Sequence, residues 1–125
     1  MTEVYDENNI FAKIIRKEIP ADIVFEDDKV LVFKDVNPAA PLHLLVVPKG
    51  NYRSYADFVA NAEAAEIVYY FQKIKDIADE FNLRDGFRLI TNNGSDASQT
   101  VEHFHFHILA GRQLGGLLSD DKLNR

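Results

Sequence analysis

The sequence predicts an α+β domain: an antiparallel sheet of about five strands with one long and one short helix. Two patterns predict it. Apolar residues recur at spacings of three and four over about 61–82, and short runs of β-branched and aromatic residues, separated by turns, lie on both sides of that segment. Sequential strands joined by short turns tend to pair antiparallel. No repeat, low-complexity tract or linker rich in Gly, Pro and Ser divides the chain, and 125 residues suit a single domain over 1–125 with a real core.

The elements follow in order. "NIFAKIIRKEIP" places Ile10, Phe11, Ile14 and Ile15 on one side of a short helix, capped by Asn8 or Asn9 and ended before Pro20. It should act as an apolar lid. "DIVFEDDKVLVFKD" reads as two strands around an acidic turn at 26–29, "NPAAP" as a rigid loop, and "LHLLVVP" as a strand ended by Pro48 and Gly50. In the long helix Ile67, Tyr70, Phe71, Ile74, Ile77, Ala78 and Phe81 form the apolar face, with Tyr69 beside it. "GFRLITN" is a strand, "NGSDAS" a polar loop, and "EHFHFHILA" the last strand. The expected order is helix, three strands, long helix, two strands.

Fourteen basic and twenty acidic side chains give a net charge of −6, which argues against a nucleic-acid polymer as partner. A small anion remains within reach of local donors. With no cysteine, disulfides and thiolate-bound zinc are excluded. The N-terminal stretch is polar and acidic, and no run approaches the roughly 20 apolar residues of a membrane span. The expected location is cytoplasmic.

The chain has four histidines, and three of them, His103, His105 and His107, alternate in "HFHFHIL"; His43 sits in "PLHLLVVPK". On a strand this alternation turns the three imidazoles to one face and Phe104, Phe106 and Ile108 to the core. His43 joins them if its strand is a neighbour. Three uses compete for such a face. Isolated histidines are most often partly exposed polar residues. A metal site would need a pair plus His43 or a carboxylate, because His103 and His107 would start roughly 13 Å apart on a strand. The third use is acid–base and nucleophilic chemistry at phosphorus: imidazole titrates near pH ~6.5, so one ring can attack as a free base while its neighbour donates a proton. "NGSDASQT", with Gly94, Ser95, Ser98 and Gln99, would offer donors to phosphate oxygens, although such residues commonly make ordinary turns.

"QTVEHFHFHILAGR" resembles the signature of the histidine triad nucleotide-binding superfamily, and "NIFAKIIRKEIPADIVFEDDKVLVFKDVNPAAPLHLLVVPK" is similar to the N-terminal half of its Hint branch. The resemblance spans about 9–113. It implies a homodimer whose two sheets join into one of ten strands, a purine nucleotide as the bound substrate, and no cofactor or metal. His105 resembles the nucleophile that becomes nucleotidylated; His107 would contact the α-phosphate, and His103 would hold the strand and nucleophilic ring through hydrogen bonds. His43 matches an additional histidine near the catalytic ring. Thr100 stands where the branch usually has serine, and its hydroxyl would bond to the phosphate or leaving nitrogen. Asp35 matches an acid that binds ribose hydroxyls, its alternative being a cap on the turn after the strand. Phe11, Ile14, Phe33, Val36 and Leu45 match the base pocket, with plain core packing as the alternative, and Asn92 matches a contact near the sugar and phosphate.

Ser98 occupies a position that is often glycine in the branch, Gln99 opens a "QTV" that also resembles the Fhit branch of dinucleoside polyphosphate hydrolases, and the tail "GGLLSDDKLNR" lacks the aromatic and proline ending of several Hint proteins. The zinc-binding cysteines of some relatives are absent. Lys34, Lys49, Arg88 and Arg112 are the candidate cations for phosphate charge. The implied activity is hydrolysis of AMP or GMP joined to an amine. The alternatives are polyphosphate hydrolysis and a nucleotide-binding interaction module.

Overall fold

The computed structural model describes residues 4–118. The reading of the tail beyond 118 and of the first three residues lies outside the described residues. The order is α1 (Ile10–Ile15), β1 (Ile23–Glu26), β2 (Val30–Lys34), β3 (Leu42–Pro48), α2 (Tyr55–Asn61), α3 (Ala64–Glu80), β4 (Arg88–Ile90), a 3-10 turn (Ser95–Ala97) and β5 (Phe106–Ala110). The five strands form an antiparallel sheet in the order β1-β2-β3-β5-β4.

Alternation along the strands sorts the core into two layers. Val30, Val32, Leu44, Val46 and Ile108 face Phe58 of α2 and Tyr70, Ile74 and Ile77 of α3. Leu31, Phe33, Leu45 and Val47 face Phe11 and Ile14 of α1. The long helix thus covers one face and the short one part of the other. Tyr70 is buried, and its hydroxyl donates to the Val46 carbonyl at 2.7 Å. Tyr69 at its border bonds to Asp27 instead.

A six-residue helix is too short to persist by itself, so α1 depends on its ends and its packing. The Asn9 side chain accepts from Ala12 N at 2.9 Å. At the other end Lys17 adopts φ 66°, which lets Glu18 N reach back to Lys13 O at 2.9 Å and closes the helix. The same reversal ends α3, where Asn82 takes φ 59° and Leu83 N bonds to Ala78 O at 3.1 Å.

The element missing from the sequence expectation is α2, and with it the long helix begins at Ala64 rather than near 61. Its signal is short: Ser54 Oγ accepts from Asp57 N, and the Asp57 carboxylate accepts from Arg53 N at 2.8 Å. Phe58 then enters the core fully buried, stacked on Phe104 at 4.7 Å between ring centroids and edge-on to Tyr70. No helix among the described residues is long and apolar enough to cross a membrane. Phe58→Ala should cost about 3–5 kcal/mol in urea unfolding, because nothing else fills that space; a loss below about 1 kcal/mol would show that α2 is only peripherally attached.

Candidate functional site

His103 and His105 precede the last strand rather than lying in it, which corrects the expectation of one regular strand through all three histidines. Pro48 explains the early stop. Lys49 N donates to Lys29 O at 2.8 Å, so alternation turns Pro48 toward β5. Val46 pairs with Phe106, which places Pro48 opposite Phe104. Proline has no N–H to give there. Phe104 N donates instead to Tyr52 O at 2.7 Å, and the spare Pro48 carbonyl takes the His103 ring at 2.7 Å. His103 is therefore fully buried beneath the site and does not line it.

The backbone decides which nitrogen of each ring carries the proton. A carbonyl accepts only, so His105 Nδ1, 2.7 Å from the His103 carbonyl, must be the N–H, and Nε2 keeps its lone pair. The same reasoning puts the His103 proton on Nε2, leaving Nδ1 to accept from the Tyr5 hydroxyl at 2.6 Å. The Ala39 N–H donates to His43 Nδ1 at 3.0 Å, so the His43 proton sits on Nε2. That N–H donates to His107 Nδ1 at 2.8 Å, which leaves the His107 proton on Nε2. Pairing of β3 with β5, with His43 opposite Leu109 and Leu45 opposite His107, brings the two rings together.

His105 and His107 open into a cleft of about 430 Å³ between α1, the end of β2 and the loop before β5. Phe11, Ile14, Phe33 and Leu45 form its apolar wall, with Lys34, Asp35 and a largely exposed Val36 along one rim. Asn92, Ser98, Gln99 and Thr100 also line it. Phe11 stands edge-on to the His105 ring at 4.8 Å between centroids. The cleft is also lined by residues that the sequence reading did not assign to the site, Ile10, Ile19, Pro20, Ala21, Asn37 and Val101. The first four belong to α1 and the segment after it, and the apolar lid pattern was their only signal.

Several side chains do two things. Asp35 Oδ1 accepts from Asn37 N at 2.8 Å and so caps the turn, while Oδ2 lies 3.4 Å from His43 Nε2. Gln99 is committed to the loop itself: its oxygen accepts from Gly94 N at 2.9 Å and its amide donates to the carbonyls of Arg53 and Val101. Ser98 has φ 61° and ψ 40°, a left-handed conformation that accounts for glycine's suitability at this position. Of the candidate cations, Lys34 alone reaches the cleft lining among the described residues, 3.5 Å from Asp22. Lys49 pairs with Glu26, Arg88 donates to Gly115 O, and Arg112 donates to the carbonyls of Gln113 and Ala39.

Asp35, His43 and His107 present ligand atoms within 4.8 Å of one another and are the residues able to gather around a metal ion among those described. His43 Nε2 and His107 Nδ1 are already engaged with each other, and Asp35 Oδ2 lies 3.4 Å from the former.

Burial lowers the pKa of all four histidines. His103 falls to about 4 by desolvation, against the opposing bond to Pro48. His107 falls to about 4 by desolvation and by the neighbouring His105 and His43 charges, with Asp35 opposing. His105 and His43 are lowered mainly by desolvation, and Asp35 partly offsets this in both. All four rings are neutral at pH ~7. Unfolded histidine takes its proton near pH ~6.5, so between there and pH ~4.5 the unfolded chain binds more protons, and stability falls as pH falls. Fully buried His103 should contribute roughly 2–3 kcal/mol of this loss. Urea unfolding across that window should show the slope in the wild type and less of it in His103→Gln. A flat wild-type profile would contradict buried neutral rings.

Residues 16–114 match the HIT domain family. An uncharacterized HIT-like protein of Rickettsia prowazekii is 49% identical over 119 residues, which cover 94% of this chain and 99% of the relative. The solved structure of a histidine triad protein from Clostridium difficile has a TM-score of 0.82 at 44% identity, covering 92% of this chain and 100% of that one. A HIT family hydrolase from Legionella pneumophila has a TM-score of 0.80 at 39% identity, covering 85% and 95% respectively. The extent of the family match, together with relatives of this similarity along nearly their whole length, makes this chain a member of the HIT domain family.

Proposed function

We propose that the protein is a Hint-type hydrolase of purine nucleoside phosphoramidates, AMP or GMP joined to an amine, acting through a nucleotidyl-histidine at His105. The observation that carries this is the hydrogen bond from His105 Nδ1 to the His103 carbonyl, which leaves a neutral ring with its free nitrogen at the cleft. That nitrogen attacks the α-phosphorus in line, the phosphorus–nitrogen bond breaks, and the amine departs; water then attacks phosphorus and frees His105. The departing nitrogen takes a proton from solvent, relayed by the Thr100 hydroxyl proposed to stand beside it at the cleft lining, and the water that later attacks phosphorus gives a proton back. His107 offers its Nε2–H to the α-phosphate, with His43 holding its other nitrogen. Asp35 takes the ribose hydroxyls, the base packs among Phe11, Ile14, Phe33 and Leu45, and Asn92 borders the sugar and phosphate. The Legionella relative is itself called a hydrolase.

Among the described residues a single lysine lines the cleft, which favours this substrate over a dinucleoside polyphosphate, whose additional charges would require additional donors. A homodimer belongs to the same reading. Edge strand β4 leaves one side of the sheet open beside exposed Phe87, Leu89 and Phe71. The reading also places the protein in the cytoplasm and requires no cofactor or metal.

Steady-state hydrolysis of an adenosine phosphoramidate and a diadenosine polyphosphate, each with a chelator, tests the assignment. The phosphoramidate should be cleaved preferentially, and His105→Ala should lower the rate by roughly a thousandfold or more while retaining nucleotide binding. Preference for the polyphosphate would move the protein to the Fhit-like activity. No turnover of either, with binding intact, would make it a binding module.

A further inference from the structure

Tyr5 precedes the matched family region, and 98 positions separate it from His103 in the chain, yet its hydroxyl lies 2.6 Å from His103 Nδ1. The two rings meet edge to face, 5.6 Å between centroids at 73°. His103 is 0% exposed, and its other nitrogen is committed to Pro48 O. Tyr5 is thus the donor for an otherwise orphaned buried acceptor.

We propose that Tyr5 is a positioning residue for nucleotidylation, holding the His103 ring so that the His103 carbonyl presents itself to the nucleophilic ring of His105. This rests on the reading of His105 as nucleophile. Residues 103–105 lie outside the strand ladder, so their peptides have few other restraints: Phe104 N on Tyr52 O, and Thr91 Oγ1 donating to His105 O at 2.7 Å. The planar peptide that carries the His103 carbonyl is thus held at its Phe104 N–H by Tyr52 O and, across the His103 Cα, by the His103 ring. Releasing one side of that ring weakens the second of these two restraints, and with it the orientation of the carbonyl that holds the His105 proton on Nδ1.

The segment carrying Tyr5 is also built into the cleft. Glu7 O accepts from Arg16 Nη1 at 2.9 Å, Asn9 caps α1, and α1 supplies Phe11 and Ile14 to the apolar wall. One short strap therefore joins the wall of the proposed base pocket to the support of the nucleophile. Because Tyr5 itself does not line the cleft, its removal should act on the chemical step more than on substrate binding.

The test is a double-mutant cycle with Tyr5→Phe and His103→Gln, read by the rate of covalent adduct formation with an adenosine phosphoramidate. Gln keeps a donor for Pro48 O and removes the ring nitrogen that Tyr5 meets. Tyr5→Phe should slow adduct formation about fivefold with KM nearly unchanged, as expected for one neutral hydrogen bond. It should have no further effect in the His103→Gln background. In the nucleotide-free protein, the His105 Nδ1–H should exchange faster with solvent in Tyr5→Phe than in the wild type. Equal slowing in both backgrounds, or an unchanged rate and exchange, would overturn the proposal. If the wild type forms no adduct at His105 while Tyr5→Phe still speeds exchange, the tether stands and the nucleophile assignment fails.

Discussion

Pro48 has no N–H to offer β5, and the arrangement of the site depends on that missing donor. With the ladder interrupted opposite Phe104, the chain at 103–105 is freed from strand geometry while remaining beside the sheet. The proline carbonyl still requires a donor, and the His103 ring supplies it. The His103 carbonyl in turn becomes available to His105 Nδ1. A break in secondary structure thus turns one histidine into a support and the next into a base with an exposed lone pair.

The electrostatics follow from where these rings lie. His43, His103 and His105 are buried, and desolvation holds every ring of the group neutral at working pH. A neutral imidazole has two distinct nitrogens, so geometry alone assigns donor and acceptor. The Ala39 amide sets His43, His43 sets His107, and the result is a donor at His107 Nε2 beside an acceptor at His105 Nε2. Asp35 lies close enough to favour positive charge on His43, but desolvation is the larger effect. Neighbouring rings of opposite hydrogen-bonding character suit in-line attack on phosphorus with simultaneous contact to its oxygens.

Much of this was legible in the sequence because it depends on periodicity. The five strands, the lid helix and the apolar stripe of the long helix follow from spacings of two, three and four. The family resemblance singled out Asp35, Phe11, Ile14, Phe33 and Leu45, and the structure brings all five to one cleft. Long-range partners were not legible. The alternation put His103 on a histidine-lined face and the family resemblance gave it a supporting role through hydrogen bonds, but its burial and its partners Pro48 and Tyr5, distant in the chain, are visible only in the structure. Gln99 looked available to a nucleotide until its bonds to Gly94, Arg53 and Val101 were visible. The helix at Tyr55–Asn61 has too few residues for a periodic signal, and its Ser54–Asp57 cap was the only local clue.

Backbone groups set the proton positions of the four rings before any substrate arrives, directly for His43, His103 and His105 and through His43 for His107. Two-bond proton–nitrogen correlation NMR of the nucleotide-free protein at neutral pH reads those positions directly. The account predicts the Nδ1–H form for His105 and the Nε2–H form for His43, His103 and His107. Observation of His105 with its proton on Nε2, or as a cation, would contradict it, because the ring would then present no lone pair to phosphorus.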